Sequence, residues 1–379
     1  MKIAVINNLY QPYNKGGAEK NCQKLITEAQ DQGHDCFIIT TKPKKETKIN
    51  LSPKTYYLFS NYYFLNKKNI VYRLFWQIAN IFNFFQGQQL KKILLTEKPD
   101  LAITHNLMGI GMRSFKIIKK LKIKQVHILH DVQLFYPSGL MFWQQEKKVN
   151  SLPAKIYQAI SRSLTGSPDL IVSPSKWLLD EHTNKNFFKF SPKIILKNPT
   201  TITTEDNIKR NTTKTDCTFL FIGQIESHKG ILFLINAFKK IPNDNIKLNI
   251  VGQGSLLNQA KKIAQTDKRI SFLGFDNQIE TEQLKTNDCL IVPSLCYENS
   301  PTVIYNALNY NLPIIASNLG GIPELFTDHQ GLLFIPEDET DLINKINKFL
   351  DNRTSFIYEN KKPVETGYLK EILKNIANS

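Results

Sequence analysis

Glu298 and Asn306 have the residue types and the spacing to bind a ligand that is rich in hydroxyl groups. Glu298 lies in a loop after Cys289–Val292, a short apolar run that is typical of a buried strand. Asn306 lies on the next predicted helix, on a side away from its apolar residues. Because both side chains can point into one cleft, the carboxylate and the amide can bind several hydroxyl groups of one ligand.

The sequence around these residues contains signals for two helix starts. Ser300 is the predicted N-cap of the first helix, Pro301 takes its first helical position, and Thr302 follows. After another apolar run, Gly320 and Gly321 precede the second predicted helix. Glycines at such a point let backbone N–H groups approach an anion, which predicts a phosphate site beside the carboxylate.

A second group of candidate residues follows two predicted strands in the first half of the chain. His105 and Asn106 come directly after one strand, His130 comes after the next, and Tyr136 lies in the loop that follows. Ligands of open α/β sheets bind at such carboxyl ends. One histidine alone is more often structural than catalytic, but two at successive strand ends favour a binding site. His127 points the opposite way along its strand and is predicted to be structural.

Glycine-containing loops follow several other predicted strands. For Gly16 and Gly17 at the first helix start, the residues alone favour a plain strand-to-helix turn over an anion site. No G-x-G-x-x-G fingerprint is present, which argues against a nicotinamide cofactor. The candidate residues in these loops are Gly16 and Gly17; Gly223, Gln224 and Lys229; Gly252; and Gly274 with Phe275.

Length and composition predict two α/β domains. The 379 residues are long for one core, and 41% hydrophobic content is enough to bury two. A polar, hinge-like stretch that starts near Pro199 separates them. We therefore predict a first domain at residues 1–198, a second at 199–363, and a terminal helix at about 364–379.

The net charge of +16 invites a nucleic-acid interpretation, but the lysines are spread along the whole chain and no nucleic-acid motif accompanies them. We predict no nucleic-acid partner. An anionic membrane surface and an anionic substrate remain the candidate partners for the excess positive charge. The five scattered cysteines argue against a disulfide framework and a structural zinc site. The first residues enter a strand pattern directly, so we expect the chain in the cytoplasm, with peripheral binding to the inner face of the membrane as the alternative.

The aromatic stretch Tyr56–Phe85 allows two interpretations. Arg73, Gln77 and Asn80 recur at helical spacing as a thin polar stripe on an otherwise apolar helix, with lysines before and after it. The interpretation that we favour is a helix packed on the sheet. The alternative is an interfacial helix that rests on a lipid surface.

The stretch 288–325 resembles the donor-binding half of the retaining glycosyltransferases of family 4, also called glycosyl transferases group 1. That family's pattern is a Glu, seven residues, a second Glu, and then a Gly-Gly-Ile-Pro-Glu turn; here Glu298 opens it and Asn306 replaces the second Glu. The resemblance implies the GT-B fold, with two Rossmann-like, doubly wound domains facing each other across a cleft. It implies that residues 1–198 bind the acceptor, that 199–363 bind the donor, and that the terminal helix crosses back onto the first domain.

The resemblance also implies a role for each candidate residue. Glu298, Lys229 and His130 are the implied catalytic residues, with Lys229 at the leaving diphosphate and His130 at the transferred sugar, while Gln224 stands where the family has Arg. The implied donor-binding residues are Gly16, Gly17, Gly223, Gln224, Gly252, Gly274, Phe275, Ser300, Pro301, Thr302 and Asn306. The implied acceptor or sugar pocket contains His105, Asn106 and Tyr136.

The expected activity is retaining transfer of a hexose from a nucleotide-diphosphate sugar, UDP- or GDP-linked, to a hydroxyl group of a glycan or lipid-linked acceptor. No Asp-x-Asp motif occurs, so we expect neither a metal nor a cofactor. Cell-envelope or exopolysaccharide assembly is the expected process. Because Gln224 and Asn306 are both neutral, the alternative is a nucleotide-sugar-binding protein with weak or no catalysis.

Overall fold

The computed structural model describes residues 1–13, 16–43, 52–199, 215–326, 329–356 and 367–377. The chain divides into two compact units. The first comprises Met1–Gly139, Lys147–Pro199 and Thr366–Ser379, and the second comprises Leu140–Glu146 and Thr200–Glu365. The sequence did not indicate that residues 140–146 belong to the second unit. Most of the predicted hinge lies outside the described residues.

The first unit contains a parallel sheet of seven strands in the order β3-β2-β1-β4-β5-β6-β7. Its strands are β1 (Lys2–Ile6), β2 (Asp35–Lys42), β3 (Thr55–Phe59), β4 (Leu101–Thr104), β5 (Lys124–Ile128), β6 (Leu170–Ser173) and β7 (Lys193–Ile195). Its helices are α1 (Gly17–Asp31), α2 (Ile70–Phe82), α3 (Phe84–Glu97), α4 (Arg113–Lys120), α5 (Leu152–Thr165), α6 (Lys176–Thr183) and α12 (Tyr368–Ala377).

The second unit contains a parallel sheet of six strands in the order β10-β9-β8-β11-β12-β13. Its strands are β8 (Cys217–Ile222), β9 (Ile246–Val251), β10 (Ile270–Gly274), β11 (Cys289–Val292), β12 (Ile314–Ser317) and β13 (Gly331–Phe334). Its helices are α7 (Ile231–Lys239), α8 (Leu257–Ala264), α9 (Asn277–Thr286), α10 (Thr302–Asn309) and α11 (Glu339–Asp351).

Both sheets are covered by apolar layers on their two faces, as strands without polar alternation require. In β1, Ile3 and Val5 contribute to the core on one face and Ala4 to the core on the other. In β8, Phe219 lies on one face and Leu220 on the other. The predicted fold class, α/β with doubly wound parallel sheets, is therefore correct.

The strand order of each sheet reverses direction at one place. In the first unit this switch lies between β1 and β4, and in the second between β8 and β11. Loops at the carboxyl ends of such neighbouring strands diverge and leave a crevice, where ligands of doubly wound sheets bind. The loops that carry His105, Lys229 and Glu298 all start at these two points.

Two local predictions were wrong. Helix α10 begins at Thr302 with Pro301 at the N-cap, and Ser300 does not cap it because its Oγ lies 2.7 Å from the Tyr305 hydroxyl. Helix α2 does not bury its apolar face against the sheet, since Phe75 and other large apolar side chains are exposed to solvent. No described helix is long and apolar enough to cross a membrane.

Candidate active site

An ion pair between Lys229 and Glu298 lies at the switch point of the second unit. Lys229 Nζ donates to Glu298 Oε1 at 2.5 Å, and the two side chains retain only 27% and 14% of their exposure. The Ser294 hydroxyl donates to the same oxygen at 3.1 Å. Burial disfavours both charges, but the attraction between them outweighs it, so the pKa of Lys229 is raised and that of Glu298 is lowered. Both groups are therefore ionised at neutral pH.

The two loops that carry this pair are joined through their backbones. Leu295 N–H donates to the His228 carbonyl at 2.9 Å. Gly230 has a φ of +70°, and a Cβ there would lie 1.8 Å from the Pro293 carbonyl oxygen. Only glycine permits this approach. The turn after Lys229 thus holds the ammonium against the Glu298 loop.

Gly320 and Gly321 hold the backbone of Glu298. Gly321 N–H donates to the Glu298 carbonyl at 2.8 Å, and a Cβ at Gly320, where φ is +65°, would lie 2.3 Å from that oxygen. The predicted second helix is only the short 3₁₀ turn Ile322–Glu324, and the Gly321 N–H is not available to an anion because it already has a partner. The phosphate site at these glycines stays a prediction. The two glycines hold the backbone of Glu298, which is a candidate catalytic residue.

Asn306 makes a hydrogen bond that the sequence did not reveal. Its side-chain amide donates to Glu280 Oε1 at 2.9 Å, and Glu280 is a buried residue of helix α9. Thr302, at the first position of the same helix, is half-buried. A carboxylate is therefore present next to position 306, although it comes from another helix.

A cavity of about 370 Å³ lies at the carboxyl ends of β9 and β10. Gly252 N–H donates to the Gly274 carbonyl at 2.8 Å, and a Cβ at Gly252 would lie 2.0 Å from the Gly223 carbonyl oxygen. Gly223, Gly252 and Gly274, three predicted donor-binding residues, thus lie together at the carboxyl ends of these strands. Phe275 and Gln224 are exposed and do not line the cavity, whose walls are Gly252, Gln253, Gly254, Leu257, Lys261, Phe272 and Gly274.

Residues 140–146 pair with the segment that leads into Glu298. Trp143 N–H donates to the Leu295 carbonyl at 3.0 Å, and Tyr297 N–H donates to the Met141 carbonyl at 2.8 Å. The Tyr297 hydroxyl donates to Glu146 at 2.8 Å. Sequence reasoning missed this support for the Glu298 loop; the aromatic pair Phe142 and Trp143, outside any periodic run, was the available signal.

In the first unit, His105 and His130 form a stacked, hydrogen-bonded pair. His105 Nδ1 lies 2.8 Å from His130 Nε2, and the ring centroids are 5.1 Å apart. Burial lowers the pKa of His130 to about 4, and burial and the neighbouring His130 ring lower the pKa of His105 well below its usual value. Both rings are neutral at pH 7, so one N–H donates to the other ring.

A small cavity of about 20 Å³ adjoins this pair. Asn106 and His127 line it, whereas Tyr136, a predicted pocket residue, does not. His127 Nδ1 lies 3.0 Å from the Thr104 hydroxyl, which agrees with its predicted structural role. Asp131 also lines the cavity, and burial raises the pKa of its carboxyl to about 6. The sequence analysis did not single out this carboxylate.

In the loop before helix α1, a backbone N–H of the predicted anion site already has a hydrogen-bond partner. Gly16 N–H donates to Glu19 Oε2 at 2.7 Å, and Glu19 is buried. This contact caps the helix, which begins at Gly17. An anion at Gly16 would have to displace the Glu19 carboxylate. Among the residues that the structure describes, no group of three His, Cys, Asp or Glu side chains could hold a metal ion.

Family models match both halves of the chain. Residues 203–368 match the model described as glycosyl transferases group 1, and residues 15–195 match the model described as glycosyltransferase family 4. Together they cover both units and most of the candidate residues.

Two relatives match along most of their length. A protein from Klebsiella pneumoniae described as an uncharacterized 42.6 kDa protein in the cps region is 25% identical, over 90% of this chain and 91% of the relative. The putative teichuronic acid biosynthesis glycosyltransferase TuaC of Bacillus subtilis is also 25% identical, over 92% and 89%.

A solved structure with a similar fold is that of Alr3699/HepE from Anabaena, in complex with UDP and glucose. It has a TM-score of 0.70 at 16% identity, and the match covers 100% of both chains. This likeness confirms the predicted GT-B fold.

Proposed function

The chain belongs to the glycosyl transferases group 1, and we propose that it transfers a hexose from a UDP- or GDP-linked donor to a hydroxyl group with retention of the anomeric configuration. The observation that carries the proposal is the Lys229–Glu298 ion pair at the same sheet edge as the cavity of about 370 Å³. The cavity accommodates part of the nucleotide, and the ion pair meets the diphosphate and the sugar.

The chemistry requires that charge be stabilised on the leaving group. The bond between the anomeric carbon and the phosphate oxygen breaks, the electron pair leaves with the diphosphate, and the acceptor oxygen bonds to that carbon as its hydroxyl proton is released. Lys229 is held where its ammonium can offset the negative charge that builds on the diphosphate. Glu298 accepts hydrogen bonds from the sugar hydroxyls and orients the ring.

We propose that no metal takes part, because the sequence lacks an Asp-x-Asp motif and supplies the Lys229 ammonium at the proposed diphosphate position. The Asn306–Glu280 pair is the proposed contact for the ribose. In the first unit, the neutral His105–His130 pair with Asn106 offers hydrogen-bonding groups for a sugar or an acceptor.

The relatives' names support a process as well as a reaction. One is described as a protein of a cps region and another as a teichuronic acid glycosyltransferase. We therefore place this chain in the assembly of a cell-envelope or extracellular polysaccharide, with a glycan or lipid-linked acceptor. Such a role calls for a cytoplasmic enzyme that works at the inner face of the membrane.

A donor panel tests the proposal. Thermal unfolding is measured with UDP, GDP and their hexose conjugates, since a ligand that binds only the folded state raises the Tm. The stabilising donor is then incubated with candidate acceptors, and proton NMR determines the anomeric configuration of the product. An inverted product would contradict retention. Binding without release of diphosphate, with every acceptor tried, would favour the alternative of a nucleotide-sugar-binding protein.

A further inference from the structure

Helix α2 exposes its apolar side chains. Val71, Phe75 and Ile78 recur at i, i+4 and i+7, and they are 58%, 68% and 51% exposed. Tyr72 extends this face at 39% exposure. Side chains at this spacing lie on one side of a helix. The result is an apolar stripe that faces solvent, which we call the α2 face: Val71, Tyr72, Phe75 and Ile78.

The polar side of the same helix contacts the protein. Asn80 Oδ1 accepts from the Gly109 N–H at 2.7 Å, and the Gln77 side-chain amide donates to the Pro137 carbonyl at 3.4 Å. The helix is therefore inverted relative to an ordinary surface helix, whose apolar side faces the core. The inward hydrogen bonds fix its rotation, so a simple turn of the helix cannot bury the α2 face.

The apolar exposure continues beyond α2. Phe84 and Phe85, at the start of α3, are each 63% exposed, and the Arg113 guanidinium lies 4.2 Å from the centre of the Phe84 ring. Monomeric proteins rarely leave a contiguous apolar patch of this kind without a partner.

The charge around the α2 face identifies the partner. Residues 47–96 contain seven Lys or Arg and no Asp or Glu. One of these, Lys68, is exposed just before the helix, and its ammonium lies 5.4 Å from the centre of the Tyr72 ring. A second copy of a chain with net charge +16 would be repelled by this surface. Exposed aromatic residues with surrounding cations fit an anionic lipid headgroup layer.

We infer that the α2 face binds the surface of an anionic bilayer, with Phe75 and Ile78 inserted among the lipids and Lys68 at the phosphates. This inference goes beyond the proposed function, because lipid binding is measured without turnover. It also places the cavity of about 20 Å³ beside His105 and His130 relative to the lipid surface. Asn80 lines that cavity from the inner side of α2, so the cavity lies about one helix diameter, roughly 10 Å, from the lipid.

The test is co-sedimentation of the full chain with vesicles of phosphatidylcholine alone or mixed with phosphatidylglycerol. The wild type binds only the anionic vesicles and is partly released by salt. The double substitution Phe75→Ser, Ile78→Ser weakens binding at least about tenfold, because two apolar side chains that insert among the lipids are lost. Phe190→Ser is the matched control, since Phe190 is 81% exposed in the same unit but lies outside the α2 face; it leaves binding unchanged.

Two further experiments test the contribution of positive charge and whether helix α2 is the part of the chain that contacts the lipid. Lys68→Gln weakens binding about fivefold, the effect of one cation near an anionic surface, whereas Lys247→Gln changes the net charge equally and has no such effect. Trp76, on the same helix, is quenched by brominated lipids, and Trp76→Phe removes that component of the quenching. Trp177→Phe, at another half-buried tryptophan of this unit, retains it.

Three results would overturn the inference. One is that the wild type fails to bind anionic vesicles at low salt. Another is that the Phe75→Ser, Ile78→Ser protein binds as well as the wild type. The third is that sedimentation velocity finds a dimer that the same double substitution dissociates, because the α2 face would then join two copies of the chain.

Discussion

The Asn306 amide donates to Glu280 Oε1 at 2.9 Å, so a buried carboxylate from α9 lies beside the position that corresponds to the second Glu of the family 4 pattern described above. The pair places a carboxylate of α9 and an amide of α10 side by side. Glu280 is thus the nearest candidate to replace the missing acid. Its contribution can be separated from that of Asn306 by substitution.

We expect Asn306→Glu to weaken donor binding. The new carboxylate would lie within hydrogen-bonding distance of Glu280, and two adjacent carboxylates cannot both remain ionised at low cost. Adding Glu280→Gln should restore binding, because the amide and the carboxylate are then exchanged between the two helices. Isothermal titration with the nucleotide diphosphate measures all four proteins of this cycle. If Asn306→Glu alone tightens binding, Glu280 is not close enough to matter.

Lys229→Ala should lower kcat by a factor of about 10² to 10³, the usual loss when one group that stabilises developing charge is removed. A purely structural ion pair would instead lower the Tm and leave kcat unchanged for the folded fraction. Lys240→Ala is the matched control, because Lys240 pairs with Glu339 on the exposed surface of the same unit. That change should affect neither quantity much.

Transfer should continue in excess chelator, because the proposed countercharge for the diphosphate is the Lys229 ammonium. The initial rate is measured with EDTA and then after addition of Mg²⁺ or Mn²⁺. Activity that disappears with EDTA and returns with Mn²⁺ would show that a cation supplies the charge stabilisation assigned here to Lys229.

Gly320→Ala should reduce activity much more than its backbone strain implies. A left-handed conformation costs a non-glycine residue about 1–2 kcal/mol. Gly33→Ala is the control that measures this cost by itself, because Gly33 has a φ of +77° and no atom lies within 4 Å of the new Cβ. At Gly320 the new Cβ would also collide with the Glu298 carbonyl oxygen. We expect kcat to fall at least about tenfold, since small displacements of catalytic groups are costly. Equal activity in the two variants would mean that this turn does not position Glu298.

The sequence predicted most strands of both sheets. Strand β11 matches the predicted run Cys289–Val292 residue for residue, because buried parallel strands are continuous apolar runs with clear ends. Strands β3, β7 and β13 were missed. β7 has only three residues, none of them buried, and β3 lies within the aromatic stretch, where its side chains do not differ from those of the following helix.

The candidate site was less predictable than the fold. Lys229 and Glu298 were singled out separately, but their pairing depends on backbone contacts between loops 69 residues apart. Neither Glu280 nor the segment 140–146 has a local pattern that indicates a role, because each acts through a tertiary contact. The outward apolar side of α2 was ambiguous for a similar reason: periodicity shows that a helix has two sides but not which one faces the core.

The buried histidines of the first unit should make its stability fall in acid. Burial lowers the pKa of His127 to about 3 and those of His130 and His182 to about 4. An unfolded histidine titrates near about 6.5, so between these values the unfolded chain binds more protons than the folded one. The stabilisation is complete above pH 6.5 and is lost as the pH falls towards 4. Asp131, whose pKa burial raises to about 6, acts in the opposite direction over part of this range and offsets about one histidine.

His182→Phe tests this argument at one residue. His182 Nδ1 lies 2.8 Å from the Leu178 carbonyl oxygen, and Nε2 is buried with no partner among the described residues, so protonation would place an uncompensated charge among Phe135, Phe187 and Phe188. Phenylalanine fits this aromatic surrounding and cannot titrate. The free energy of unfolding should therefore depend less steeply on pH between 6 and 4.5, by about 1.4 kcal/mol per pH unit. Urea titrations across this range measure the slope, and an unaltered slope in His182→Phe would mean that His182 is not a source of the acid sensitivity.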